Sequence, residues 1–271
     1  MIPYDYHIHT NFSCDSEATM MEMCEAAIEL GIFEIGFTDH LDFIPQDPCS
    51  GFLRIDAWWE EIRRCRERFN ETLIIRAGIE IGEPHLFGES VQPIIDQHPW
   101  DYCLGSLHWV GEGCVFFREY FEQPSDGAYR RYFQELREMV ERGDFDILGH
   151  LDVVKRYGFD VYGLYDPYAW EKEIRAVLRE CVDREIALEI NTATLRRSVG
   201  EPTPTEPILS WYQEEGGRWL TIGSDAHEPE NIGYGLDDIV AMIRKVGFQQ
   251  LARLEARQTI AFPLSEAEAS E

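Results

Sequence analysis

Two histidines one residue apart, His7 and His9, close the apolar run Tyr4 to His9 before any helix begins. In an extended strand, side chains two apart point to one face, so the pair can converge as metal ligands or lie satisfied in a core. The later runs favour ligands. "GFTDH" ends at His40, "RAGIE" at Glu80, "LGSLH" at His108, "ILGH" at His150 and "EIN" at Asn191, while "LTIGSDAH" delivers Asp225 and His227. Every short apolar run thus ends in a group that coordinates or hydrogen-bonds. Asp15, six residues beyond His9, reads either as a turn or N-cap aspartate or as a further ligand. His85 and His98, in "EPHLFG" and "DQHPWD", read as solvated or hydrogen-bonded loop histidines.

Six imidazoles and three carboxylates without a nearby thiolate suit Zn, Mn or Fe rather than Ca or Mg. Nine side chains exceed what one ion needs. With neutral histidines, Asp15, Glu80 and Asp225 supply a charge of -3, so three divalent ions leave +3 to attract an anion and a hydroxide. That arrangement is suited to metal-assisted hydrolysis of a phosphate ester.

Such convergence needs a scaffold that brings all the strand ends to one face. The apolar runs are Tyr4 to His9, Glu34 to Thr38, Leu73 to Ile81, Tyr102 to Trp109, Phe145 to His150, Ile186 to Ile190 and Trp219 to Ile222. Amphipathic segments lie between or after them: Ala18 to Leu30, Asp56 to Phe69, Ala128 to Arg142, Pro167 to Arg184, Pro204 to Glu215 and Leu236 to Val246. Strand and helix in alternation predict a parallel sheet covered by helices. The candidate groups recur every 28 to 42 residues, the spacing of βαβ units, and a closed parallel barrel gathers its strand ends at one mouth.

With 271 residues, the chain has room for one α/β barrel, read as a single domain over 1–265 followed by an acidic tail at 266–271. The stretch "DFIPQDPCSGFLRID" after His40 predicts a loop covering the site. Seven cysteines without C-x-x-C spacing read as reduced core thiols rather than a disulfide framework or thiolate metal site. The formal charge of -27 opposes attraction to nucleic acid, and no basic, aromatic-interleaved groove is evident. The start of the chain has no basic stretch followed by an apolar run, and no stretch is apolar enough to span a membrane, so a soluble cytoplasmic protein is expected.

In order and spacing, "HIHTNFSCD", "GFTDH", "GIE", "GSLH", "GHLD" and "SDAH" resemble the PHP superfamily, named for polymerase and histidinol phosphatase. The resemblance implies a distorted seven-stranded (β/α) barrel of TIM-like form with a trinuclear metal site. Carried onto this chain, it implies one metal held by His7, His9, Glu80 and Asp225. Glu80 would bridge to a second metal on His108 and His150, and Asp15, His40 and His227 would hold the third.

"LGSLHWV", "GHLDVVKRYG" and "EINTATLRR" look like the stand-alone histidinol-phosphatase branch of that superfamily. The expected activity is hydrolysis of L-histidinol phosphate to L-histidinol and phosphate, in histidine biosynthesis. Rival readings are a phosphatase for another small metabolite or a nucleotide, and a non-catalytic module. Arg156 and Arg196 are candidates for gripping phosphate oxygens, since a planar guanidinium binds two at once. With Glu80 and Asp225 they form the expected catalytic set. Lys155 and Arg197 read equally as solvated surface charge. Asp152, Asp225 and a metal-bound water are the candidate proton donors to the leaving group. Oligomeric state is not legible.

Overall fold

The computed structural model describes residues 2–264; the tail at 266–271 lies outside them. Seven strands, Asp5–Ile8, Glu34–Phe37, Ile74–Gly82, Tyr102–Ser106, Ile147–Leu148, Ala187–Asn191 and Leu220–Gly223, pair parallel and in chain order. The short strand His40–Leu41 pairs with the third of these, setting His40 opposite Glu80. An isolated parallel bridge from Ile8 to Ala226 draws the last strand against the first, so the sheet closes on itself. This is the expected α/β barrel.

The helices form where apolar residues recur at helical spacing. In Met20–Glu29 the buried residues are Met20, Met23, Cys24 and Ala27, and in Leu236–Val246 they are Leu236, Ile239, Val240 and Ile243. Both sets follow the i, i+3, i+4, i+7 pattern that turns one face to the sheet. Thr19 starts the first helix with a capping box closed by Glu22, which satisfies two otherwise orphaned backbone donors. Among the described residues no helix is long and apolar enough to cross a membrane.

Inside the barrel, Tyr4, Tyr6 and Tyr102 stack in sequence, with ring centroids 4.0 and 5.1 Å apart. The Tyr102 hydroxyl donates to the Tyr6 carbonyl at 2.7 Å, and a Cβ at Gly36 or Gly78 would overlap the Tyr102 ring. Small residues on the second and third strands therefore make room for a large one on the fourth. Two strands with no counterpart in the sequence reading, Gln250–Glu255 and Gln258–Pro263, form an antiparallel hairpin. It covers the end of the barrel remote from the histidines, where Tyr4 donates to the Ala252 carbonyl and Arg253 pairs with the buried Glu34.

The cysteine reading needs correction at one pair. Cys14 and Cys49 form a disulfide, whereas Cys24, Cys65, Cys103, Cys114 and Cys181 are buried free thiols. Cys14 follows the first strand and Cys49 lies in the loop after His40. Both loops rise from neighbouring strands on the same side of the barrel, which brings residues 35 apart in sequence to a Cα separation of 5.0 Å.

Candidate metal centre

The expected ligands meet at the C-terminal ends of the strands, with Glu80 at their middle. Its two carboxylate oxygens lie 3.0 Å from His40 Nδ1, 3.1 Å from His150 Nε2, 3.4 Å from His9 Nε2 and 3.5 Å from both His7 Nε2 and His108 Nε2. Asp225 Oδ1 lies 3.4 Å from His9 Nε2 and 3.8 Å from His7 Nε2. Toward the outside, Asp15 Oδ2 lies 3.0 Å from His227 Nε2 and 3.6 Å from His40 Nε2. All nine candidate side chains thus belong to one cluster. Asn191 sits beside it and donates to Asp225 and Glu189.

Among the donor groups compact enough to hold an ion are His7, His9 and Asp225; Glu80, His108 and His150; His9, Asp15, His40 and His227; and His40, Asp42 and His108. His7 Nε2 and His9 Nε2 face each other at 3.0 Å, and Glu80 Oε2 is buried without a hydrogen-bond partner. Converging lone pairs and an unpartnered buried carboxylate oxygen are what a cation between them would satisfy, so these residues fit a divalent metal. Burial opposes charge on Glu80, but His40 and His7 beside it hold its carboxyl well below the usual range. Burial, reinforced by His227 and His40, lowers His9 to about 3, leaving it in the neutral form that coordinates.

The backbone is bent to serve this convergence. His150 and Asp225 adopt positive φ angles of 20° and 52°, a region that side-chain-bearing residues enter only when their surroundings hold them. Four buried carboxylates outside the expected set brace the backbone around the cluster. Asp5 accepts from the N–H groups of Ser224 and Gly233, and Glu83 from those of His108 and Trp109. Asp39 accepts from the Thr10 N–H, the Ser13 hydroxyl and the Trp58 indole. Glu189 accepts from the His150 N–H and lies against the His7 ring. Sequence reasoning passed over all four; the available signal was an acid inside or directly beside an apolar run. Asp42, 3.5 Å from His40 Nδ1, was missed in the same way.

A cavity of about 640 Å³ opens over the cluster and is also lined by Phe116, Arg156, Tyr157, Arg196 and Arg197. Arg196 is anchored by donating to the carbonyls of Ser224 and Asp225 at 2.9 and 3.0 Å, and its other terminal nitrogen, Nη1, is buried without a partner. The Arg156 guanidinium packs over the rings of Phe116 and Tyr157 at 5.5 and 5.3 Å. Arg197 is exposed at the rim. Lys155 departs from the solvated reading: it is fully buried and ion-paired with Asp152, which is also fully buried. His85 bonds to Glu135 and His98 stacks on Trp59, both away from the cluster.

The PHP domain family model matches residues 5–193 of the chain. A histidinol-phosphatase of Lactococcus lactis subsp. lactis is 30% identical over 253 residues, covering 92% of this chain and 93% of its own. A probable histidinol-phosphatase of Thermotoga maritima is 33% identical over 248 residues, covering 92% and 94%. Among solved structures, histidinol phosphate phosphatase from Lactococcus lactis, complexed with zinc, L-histidinol and phosphate, superposes with a TM-score of 0.86 at 28% identity, covering 96% of this chain and 99% of the other.

Proposed function

The chain belongs to the PHP domain family, and from that premise we propose that it is a histidinol-phosphatase, hydrolysing L-histidinol phosphate to L-histidinol and phosphate in histidine biosynthesis. The observation that carries this reading is a cavity lined both by a histidine and carboxylate cluster and by Arg156 and Arg196. Anionic phosphate oxygens match the arginines directly, and would match the cluster once divalent cations fill it.

The nine clustered side chains are read as ligands of three divalent transition-metal ions, Zn, Mn or Fe. His7, His9, Glu80 and Asp225 would hold one, Glu80, His108 and His150 a second, and Asp15, His40 and His227 the third. Such ions supply Lewis acidity toward phosphoryl oxygens and lower the proton affinity of coordinated water. The chain's own residues bind and orient. The guanidinium groups of Arg196 and Arg156, both of which line the cavity, grip phosphate oxygens and neutralise charge that develops on them. Phe116 and Tyr157 shield the Arg156 side of the cavity from water and hold its guanidinium plane. Asp152, sealed against Lys155, does not line the cavity, whereas Asp225 does and remains in the catalytic set.

The test is turnover by metal-reconstituted protein of a panel holding histidinol phosphate, other phosphomonoesters, a phosphodiester and short single-stranded DNA. Histidinol phosphate is expected to be preferred. Equal rates across the monoesters would remove the specific assignment, and cleavage of the diester or DNA alone would replace it with a nuclease.

A further inference from the structure

A buried lysine next to one phosphate-facing arginine is bonded to the loop that carries the other. Lys155 opens the helix Lys155–Tyr162 and immediately precedes Arg156. Its Nζ lies 3.0 Å from Asp152 Oδ2, donates to the Pro202 carbonyl at 2.7 Å, and sits 5.6 Å from the centre of the Tyr165 ring. Pro202 belongs to the far limb of the loop bearing Arg196. Beside it, Thr203 exchanges both backbone hydrogen bonds with Asn191, at 2.7 and 2.9 Å, and the Glu201 carbonyl accepts from the Thr194 hydroxyl. The loop is therefore closed at its base, and Lys155 ties this base to the start of the Arg156 helix, while further along the loop the Ser198 hydroxyl donates to Asp160 of the same helix.

We propose that Lys155 is a positioning residue for phosphate binding, fixing the distance between Arg156 and Arg196 through its bond to the Pro202 carbonyl. The proposal rests on the phosphatase reading of the cavity. An ammonium and a carboxylate buried together gain little stability over an apolar pair of similar volume, so burial of this pair is better accounted for by the geometry it imposes. Two arginines that close on one phosphate must be held to a fraction of an ångström, since a misplacement of about 1 Å costs on the order of a hundredfold.

Lys155→Met alone leaves the Asp152 carboxylate buried without its partner and is prone to misfolding. The informative variant is therefore Asp152→Asn/Lys155→Met, which removes both charges together. In the full-length, metal-loaded protein, its KM for histidinol phosphate should rise about ten- to hundredfold with a smaller change in kcat. The Kd of inorganic phosphate, measured by calorimetry, should weaken by a similar factor, with metal content unchanged. In an Arg156→Ala/Arg196→Ala background the same pair of substitutions should cost less than about twofold more, since no arginines remain to position.

A folded, metal-loaded variant with wild-type KM and phosphate affinity overturns the proposal. An undiminished loss in the arginine-free background also overturns it, because Lys155 would then act by another route. Absence of monoester turnover by the wild-type protein would instead defeat the phosphatase reading, while the phosphate isotherms still report whether Lys155 matters.

Discussion

His7 Nδ1 lies 2.6 Å from Glu189 Oε1, and the other oxygen of that carboxylate accepts the backbone N–H of His150 at 2.7 Å. One buried acid on the sixth barrel strand thus fixes the ring of one proposed ligand on the first and the backbone of another just beyond the fifth. A carboxylate has two acceptors for these two donors, whereas an amide has one acceptor and one donor group. Glu189→Gln must therefore oppose two donors at one contact. Metal affinity, measured by chelator competition, should fall about ten- to hundredfold, as when a carboxylate behind a ligating histidine is lost. Unchanged affinity would show that the His7 ring is held by its packing alone.

Glu80 faces five imidazoles, and its substitution tests the centre of the site. Glu80→Gln removes the charge with little change of shape, so kcat should drop by orders of magnitude while circular dichroism stays native. Bound metal, counted by elemental analysis, should fall below the wild-type value. Near-normal turnover with full metal content would mean that the reaction takes place elsewhere.

Arg196 and Arg197 separate an anchored guanidinium from an exposed one. Losing a charge-assisted hydrogen bond to phosphate costs about 1.5–3 kcal/mol, or roughly ten- to hundredfold in kcat/KM. Arg196→Ala should show that loss with metal content intact, and Arg197→Ala a change of less than about threefold. If the two variants exchange behaviour, the cavity assignment stands and the phosphate contact moves to the rim.

The Cys14–Cys49 disulfide closes a loop with a sequence separation of 35. A cross-link over a loop of that length stabilises by about 3–4 kcal/mol on chain-entropy grounds. A dithiol reductant should therefore lower the Tm of the wild-type protein and leave that of a Cys14→Ser/Cys49→Ser variant unmoved. Equal Tm values with and without reductant in the wild type would show that the bridge contributes nothing.

Most of the clustered side chains were legible because they end or directly follow apolar runs, Asp15 being the exception, and the parallel order of the strands then fixes which ends meet. The acids that hold those ends were not. Asp5, Glu83 and Glu189 become recognisable as anchors only when the N–H groups of distant residues are seen to need acceptors. The helix Gly88–Gln97 carries Pro93, and Lys155–Tyr162 is short and contains Gly158, so neither shows a clean helical pattern. The terminal hairpin turns at Ala256 and Arg257, which adopt φ of 48° and 60° without the Asn or Gly that normally marks such a turn. Cys14 and Cys49 pair because the loops over neighbouring strands touch, a fact of topology that spacing alone does not carry.

The isolated Ile8–Ala226 bridge makes the seam between the first and last staves of the barrel its shortest ladder. His7 and His9 stand on one lip of that seam, Asp225 and His227 on the other. An ion held by His7, His9 and Asp225 is then a rivet through the joint, and its loss should let the staves part there first. Chelation should speed hydrogen exchange of the His9 and Ala226 amides, which bond across the seam at 2.8 and 3.3 Å. The amides of Ile75 and Ala77, on the far side of the hoop, should keep their protection.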